Sequence, residues 1–527
     1  MAVLALALGV LVISQQIASP ADDLRPHQAT VDRGPDAGVA PGVARGVDLA
    51  ALDRFMAEQM AAASIPGAAV AITRGDRVLH VAGWGKDGDG ATVTGRTLFR
   101  IASLSKSFTA LAVMQLVDDG RVSLGDPVAV HLPEFRLADP RGPDITVRQL
   151  LDQTSGLADR EVADLSRPQP PTTAAAVTSL RSARLVADPG TQWNYHNPNY
   201  QVAARLVEVL SGETFDHYLA THVFKPAGMT SSLTFDTGDQ EVPGLADGHV
   251  VAYGHPVAVQ APASFDVGAG GVVSTAADMA RWLVVQSNNG RAPDGTRLLT
   301  RRGLTEMHTA GSVGGGYALG WDTDGPSAAP TLLEHSGNLL TFSSYQAVLP
   351  ASGYGVVVLL NSGSGLMLDQ TALFAGVLDI IDGTDATPPG PRFSSTTLDI
   401  GLALLTLTAA LLGVRGVRRS RHWATRTGGS ASRVVAALRL TPYLGLLAAI
   451  ATFPALAEKL VGGRDVTWVA AAYGWPALVV LVLTALAATV TTVIARTWHL
   501  NAVRGSKRLG QRPDVAEGRQ PTPAHIG

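Results

Sequence analysis

A serine and a lysine three residues apart, in Ser103-Leu104-Ser105-Lys106, are the side chains of this sequence best suited to covalent chemistry. A serine alcohol is a poor nucleophile until a neighbour takes its proton. A lysine amine can take it where burial and nearby dipoles favour the neutral form. An arginine cannot, because its guanidinium does not deprotonate in proteins. Apolar residues at helical spacing run from Ser103 to Val117 and stop at Gly120, which predicts a helix closed by a glycine cap. Three residues is slightly less than one helical turn, so hydroxyl and amine share a face. The helix N-terminus adds N–H groups aimed where an acyl oxyanion would form. Lys106 also stands out by scarcity: between Val47 and Gly383 the lysines are Lys86, Lys106 and Lys225.

An S-x-x-K can arise by chance, but two further elements follow it in order. Tyr195-His196-Asn197 is the chain's only Y-x-N, and His335-Ser336-Gly337 is its only H-x-G before the extreme C-terminus. His196 itself reads as a surface or packing residue. A G-x-S-x-G elbow is absent, as is H-E-x-x-H, which disfavours other hydrolase folds and a zinc protease. Cysteine is absent, removing thiolate nucleophiles, disulfides and cysteine metal sites, and no metal or other cofactor is expected. The net charge of −3, without a basic stripe before the C-terminal third, gives no basis for a nucleic-acid partner.

The elements that must position these residues are legible in outline. Ala68 to Thr73 and Arg77 to Ala82, joined by Arg74-Gly75-Asp76, read as a β-hairpin. Thr331 to Glu334, Phe342 to Leu349 and Tyr354 to Leu360 read as three later strands, the H-x-G motif adjoining an edge strand. Strands at both ends with helices between predict an α+β fold, one antiparallel sheet closed by the two ends of the domain. The acidic, proline-containing stretch Ala158 to Thr173 reads as a surface loop.

With 527 residues, more than one domain is expected. Met1 to Ala21 reads as a signal peptide or signal anchor without the usual basic start, and residues 22–46 as a disordered linker. Residues 47–383 form the expected catalytic domain, followed by a linker at 384–397. Within 398–495, Leu398 to Val414, Val435 to Leu456 and Thr467 to Ala495 are each apolar enough to cross a bilayer of ~30 Å. Arg415, Arg418, Arg419, Arg421, Arg426 and Arg433 lie between the first two, and Arg496, Arg504, Lys507 and Arg508 follow the third. The positive-inside rule then places that loop and the 496–527 tail in the cytoplasm, and the catalytic domain outside a multi-pass cell-membrane anchor. The loop between the second and third stretches is balanced: Lys459 and Arg464 against Glu458 and Asp465. Trp468 and Trp475 read as interfacial anchors, and Asp399 and Arg439 as charges near span ends.

The resemblance to a known family rests on more than the three short motifs. Thr97-Leu98-Phe99-Arg100-Ile101-Ala102-Ser103 leads into the serine; Thr146, Leu150, Leu151, Thr154, Ser155, Gly156 and Leu157 fit T-x-x-x-L-L-x-x-T-S-G-L; Gly270 to Asp278 fits G-G-x-x-S-T-x-x-D. On these residues the chain resembles the serine hydrolases that include class C β-lactamases, D-Ala-D-Ala carboxypeptidases, D-aminopeptidases and related esterases. The resemblance implies a β-lactamase/transpeptidase-like fold with a mostly helical insert. It implies Ser103 as the acylated nucleophile, with Lys106 and Tyr195 as its activators. Asn197 would orient Lys106 and meet a substrate amide, and the N–H groups of Ser103 and Asn338 would form an oxyanion hole. His335, Ser336 and Gly337 would line the substrate, Gly337 leaving room along the strand edge. The sequence departs from the β-lactamase pattern by carrying His335 where K-T-G has lysine. The expectation is therefore a D-Ala peptidase or esterase rather than a β-lactamase, acting on a small-molecule or peptide substrate, with the bilayer as partner of the C-terminal helices. The alternative is an acylatable penicillin-binding sensor with little turnover.

Overall fold

The computed structural model describes residues 47–163, 166–313, 315–327, 329–363, 368–384, 395–428, 435, 438–460 and 464–509. The expected export segment and first linker, most of the second linker and the end of the tail lie outside the described residues. The chain divides into two compact units, Met1–Ile400 with Pro454–Leu478, and Gly401–Phe453 with Val479–Gly527.

The first unit opens with helix α1 (Leu49–Ala63), capped by the Asp48 side chain on Ala51 N–H, and the hairpin β1 (Gly67–Arg74) and β2 (Arg77–Gly85). A short strand β3 (Phe99–Arg100) leads through a 3₁₀ turn at Ala102–Leu104 into α2 (Ser105–Asp118). The predicted helix is therefore present, its first residues wound more tightly and its end marked by Gly120 at φ 70°. The helical insert contains α3 (Val147–Leu151) and α4 (Asn197–Ser211). Then come β4 (Leu233–Thr234), the hairpin β5 (Gly248–Ala252) and β6 (His255–Val259), β7 (Val272–Ser274) and α5 (Ala276–Ser287). The main sheet is completed by β8 (Asp322–Thr323), β9 (Leu333–Asn338), β10 (Ser343–Leu349) and β11 (Tyr354–Leu360), followed by the short β12 (Ser362–Gly363) and α6 (Leu368–Asp382).

The six strands run β2-β1-β11-β10-β9-β8, every pair antiparallel, so the first and last parts of the domain meet at β1–β11, as expected. β1 is almost wholly buried because both sheet faces are covered. Ala68, Val70 and Ile72 face Leu52 and Met56 of α1 and Leu373 and Val377 of α6; Ala69 and Ala71 face the other way, into the core with Phe108 and Trp282. Alternation of period two explains the division. Phe108 of α2 and Trp282 of α5 stack with centroids 3.9 Å apart.

Two sequence readings need correction. β9 begins and ends later than Thr331 to Glu334, running through the H-x-G motif, because its register with β10 joins Leu333 to Val348 and Asn338 to Ser343. Only Leu333 and Glu334 are covered by β8, so the motif remains on open strand edge. The third apolar stretch is not continuous either. A short helix, Trp468–Gly474, stops at Trp475 (ψ 72°), before Pro476. Proline lacks an N–H and disfavours helical geometry in the residue before it.

Among the described residues, three helices are long and apolar enough to cross a membrane: α7 (Ser395–Arg418), α8 (Thr441–Leu460) and α9 (Pro476–Leu509). Within the second unit, a Cβ on Gly413 would fall 2.5 Å from that of Ala488, so this glycine permits α7 and α9 to pack closely. Arg439 is not left bare, donating to Thr427 Oγ1 at 2.8 Å. Within the first unit, Asp399 accepts from Tyr253 N–H at 2.6 Å and from the Trp475 indole at 3.1 Å.

Trp282 is fully buried. Trp282→Ala is expected to lower the unfolding free energy by about 3–5 kcal/mol in chemical denaturation. Val130→Ala, at a 68% exposed position, should change it by less than about 0.5 kcal/mol.

Candidate active site

The site begins with a strained turn. Ala102, just before Ser103, has φ 51°, a left-handed conformation that costs an alanine roughly 1–2 kcal/mol. It is fully buried, and Ser344 Oγ donates to the neighbouring Ile101 carbonyl at 2.7 Å, so the surroundings hold the conformation. The turn leaves Ser103 half-buried and puts Lys106 one turn inward, with no exposed surface. Lys106 Nζ donates to Ser103 Oγ at 3.1 Å, Asn197 Oδ1 at 2.8 Å and the Ala269 carbonyl at 2.8 Å. Three neutral acceptors thus surround an amine with three N–H donors when charged.

Tyr195 reaches the same serine, its Oη 2.7 Å from Ser103 Oγ. Its segment is extended up to the start of α4, so alternate residues share a side. Tyr195 and Asn197 look into the site, whereas His196 looks away, fully buried, with Nδ1 2.8 Å from Asp159 Oδ1. His196 is therefore an interior residue rather than a surface one. The Ala158 to Thr173 stretch, read as surface, begins with a buried carboxylate. Burial alone would raise Asp159, but the His196 hydrogen bond and the Arg464 charge outweigh it and hold it below the ordinary carboxylate range.

The motif stretches behind the family resemblance turn out to be supports. Thr146 caps α3 through a reciprocal pair with Gln149, burying Leu150 and Leu151. Just beyond, the Gln153 side chain accepts from His196 N–H at 3.1 Å and from Asn199 Nδ2 at 2.7 Å, and Ser155 Oγ donates to Asn199 Oδ1 at 2.8 Å. This fixes the Y-x-N segment. In the Gly270 to Asp278 stretch, Val272 N–H donates to Ser105 Oγ at 3.1 Å and Thr275 caps α5 on Asp278 N–H. β7 also pairs with β3, which leads into the serine turn.

The third motif departs from its expected role. His335 is 3% exposed, and both ring nitrogens are engaged. Nδ1 faces the Ser336 carbonyl at 2.7 Å and so carries the proton, and Nε2 accepts from Tyr317 Oη at 3.1 Å. Burial first, then the Lys106 charge, push His335 down to about 3, so the ring is neutral rather than partly protonated near neutral pH. Gly337 leaves room for the protein's own packing. A Cβ there would meet Ser344 Oγ at 2.4 Å, the Ile101 carbonyl at 2.8 Å and Ala102 Cβ at 2.9 Å, all parts of the serine turn or its support. Ser336 and Asn338 lie on the alternate, half-buried positions of β9.

Sequence reasoning missed Tyr317, Asp159, Asp322 and Arg464. The Tyr317 ring lies 6.3 Å from Tyr195 and 5.9 Å from His335, edge-on to both. Desolvation, with Glu334 opposite, pushes Asp322 up to about 7 against the pull of Lys106. A cavity of about 380 Å³ bordered by Thr109, Arg205, Glu208 and Phe235 includes none of Ser103, Lys106 or Tyr195, and is not the reacting cleft.

Chemically, the arrangement can present an alcohol with two possible proton acceptors, on a turn locked from behind. Gly337→Ala should disturb that turn: slower acylation of the serine and about 1–3 kcal/mol lost stability, measured by labelling rate and denaturation.

Comparison with known proteins identifies the family. Residues 52–376 match the Beta-lactamase family model. The chain is 32% identical to Penicillin-binding protein 4 of Amycolatopsis lactamdurans over 351 residues, 62% of this chain and 90% of that protein. It is 27% identical to Protein flp of Staphylococcus aureus (strain MRSA252) over 322 residues, 59% of this chain but only 63% of flp. Among solved structures, the octameric penicillin-binding protein homologue from Pyrococcus abyssi aligns with TM-score 0.55 and 25% identity, covering 64% of this chain and 78% of that one. D-alanine carboxypeptidase AmpC from Burkholderia cenocepacia aligns with TM-score 0.51 and 23% identity, covering 64% and 98%, a likeness of fold. The described fold, the ordered motifs and the match over most of the first unit lead to one conclusion: the chain belongs to the Beta-lactamase family.

Proposed function

We propose that this protein is a membrane-anchored serine hydrolase that works through an acyl-enzyme on Ser103. The observation that carries the reading is the convergence of Tyr195 Oη and Lys106 Nζ on Ser103 Oγ, at 2.7 and 3.1 Å. In the proposed reaction, Ser103 Oγ attacks a carbonyl carbon while its proton passes to Tyr195 or Lys106. The N–H groups of Ser103 and Asn338 receive the oxyanion. The proton is returned to the leaving group, and water then attacks the ester by the same route, releasing acid and restoring the serine. Asn197 holds Lys106 in register and offers its amide to substrate.

The favoured substrates are D-Ala peptides or esters rather than β-lactams. The lysine of K-T-G is replaced by His335, which is buried and neutral, so a substrate carboxylate finds no fixed cation there and a neutral ester loses least. The similarity to Penicillin-binding protein 4 of Amycolatopsis lactamdurans supports peptide chemistry.

The proposed topology has three spans with the catalytic unit outside the cell. The arginine-rich stretch between the first two apolar helices supports it, as does the presence of residues 454–478 and the catalytic segment in one compact unit.

Fluorescent penicillin should label wild type but not Ser103→Ala, and a D-Ala-D-Ala peptide or chromogenic ester should be turned over only by wild type. Lys106→Arg and Tyr195→Phe should each lose roughly 10²–10⁴-fold in kcat. Stoichiometric labelling without product release would favour the sensor, and undiminished turnover by Ser103→Ala would overturn the acyl-enzyme. The absence of native cysteine allows a clean topology test. In intact cells an impermeant maleimide should label Val130→Cys but reach Arg421→Cys only after permeabilisation, and the reverse pattern would invert the topology.

A further inference from the structure

The loop between the second and third apolar stretches contains charges that cancel in sequence, and nothing there suggests chemistry. In space, Arg464 meets the active-site tyrosine. Its Nε is 2.9 Å from Asp159 Oδ2, and its Nη1 donates to the Tyr195 carbonyl at 3.4 Å. Its guanidinium carbon lies 4.9 Å from the Tyr195 ring centroid, close to the 4.8 Å of Lys106 Nζ from that ring. The next residue ties the loop down twice: Asp465 N–H donates to Asp159 Oδ2 at 3.1 Å, and its side chain accepts from Ser166 N–H at 2.6 Å.

Asp159 is the hub. Its side chain is 1% exposed, and a buried carboxylate needs compensating partners. It finds His196 on one oxygen and the Arg464–Asp465 loop on the other. His196 is Tyr195's neighbour in sequence, and Arg464 is its neighbour across the ring. One buried charge therefore clamps the tyrosine from the backbone side and from the loop side. The family match ends at residue 376, so this arginine comes from chain beyond the shared domain.

We propose that Arg464 is a positioning residue of the Ser103 site, holding Tyr195 against the serine by its stack on the ring and its bond to the Tyr195 carbonyl, with Asp159 as anchor. The inference rests on the acyl-transfer reading above and deepens it: the catalytic unit is complete only with the loop between the apolar helices. The titratable and charged groups around the ring are Lys106 from α2, His335 from β9, Tyr317 and Arg464, with Asp159 and His196 behind and Asp322 beyond Tyr317. Removing the Arg464 charge, and leaving the Asp159 carboxylate less compensated, raises the pKa of whichever base, Tyr195 phenolate or Lys106 amine, accepts the serine proton. Both changes act in the same direction.

The test uses the full chain in detergent micelles, with a chromogenic ester as substrate and Arg464→Met and Arg464→Lys as variants. Arg464→Met is expected to move the ascending limb of the kcat/KM profile to higher pH by about 0.5–1 unit. It should also lower kcat about 10-fold or more, with KM nearly unchanged. Arg464→Lys restores the charge and should return the limb to its wild-type position while recovering kcat only in part, since it lacks the planar stack. A merely structural role would change the amount of active protein and leave the limb in place. An unshifted limb with wild-type kcat in folded Arg464→Met overturns the proposal while the hydrolase reading stands. So does a rise in KM alone, which would make Arg464 a substrate contact. Should Arg464→Met fail to fold, a shifted limb in Arg464→Lys overturns the proposal and an unshifted limb with reduced kcat supports it. Undiminished turnover by Ser103→Ala overturns the hydrolase reading instead, and the proposal with it.

Discussion

A buried amine needs acceptors, and here their supply organises the site. Lys106 is fully buried in α2, and it donates to the serine turn, to the first residue of α4 and to the carbonyl of Ala269 before β7. Leaving such a group unpaired costs several kcal/mol. Those three segments must therefore converge wherever Lys106 is placed, and their convergence puts the Tyr195 hydroxyl beside Ser103. The remaining supports, the Gln153–Asn199 bonds and the Thr275 cap, keep the acceptors at their posts.

The same economy explains the third motif. Gly337 has no side chain because β9 lies directly on the serine turn, and His335 fills the space between Tyr195 and Tyr317 with both nitrogens spoken for. These residues shape the wall of the site more than they offer charge to a substrate. The strained Ala102 is held against this wall, where Ser344 Oγ donates to the Ile101 carbonyl beside it.

Much of this was legible in the sequence, for definable reasons. S-x-x-K and Y-x-N depend on local geometry, one helical turn and one extended alternation, so spacing alone identifies which side chains share a face. The hairpin of β1 and β2 was legible from its two apolar runs joined at Gly75, and the closing of β1 on β11 from their placement at the two ends. The register of β9 was not, because it depends on pairing with β10 rather than on its own residues. The start of the third apolar helix was misjudged because apolar content hid the break that Pro476 imposes. Asp159, Tyr317 and Arg464 escaped because their significance is a matter of tertiary contact: Asp159 and Arg464 meet across some 300 residues of chain. No local pattern distinguishes them from any other loop charge.

The central claim is that Ser103, and no other hydroxyl in the serine turn, carries the acyl group. Trypsin should cut after Arg100 and Lys106, releasing Ile101–Lys106 with Ser103 and Ser105 as its two hydroxyls. Acid-quenching the full chain during turnover of an ester and sequencing that peptide by tandem mass spectrometry should place the acyl mass on Ser103. An adduct on Ser105, or an unmodified peptide under conditions of steady product release, would contradict the account.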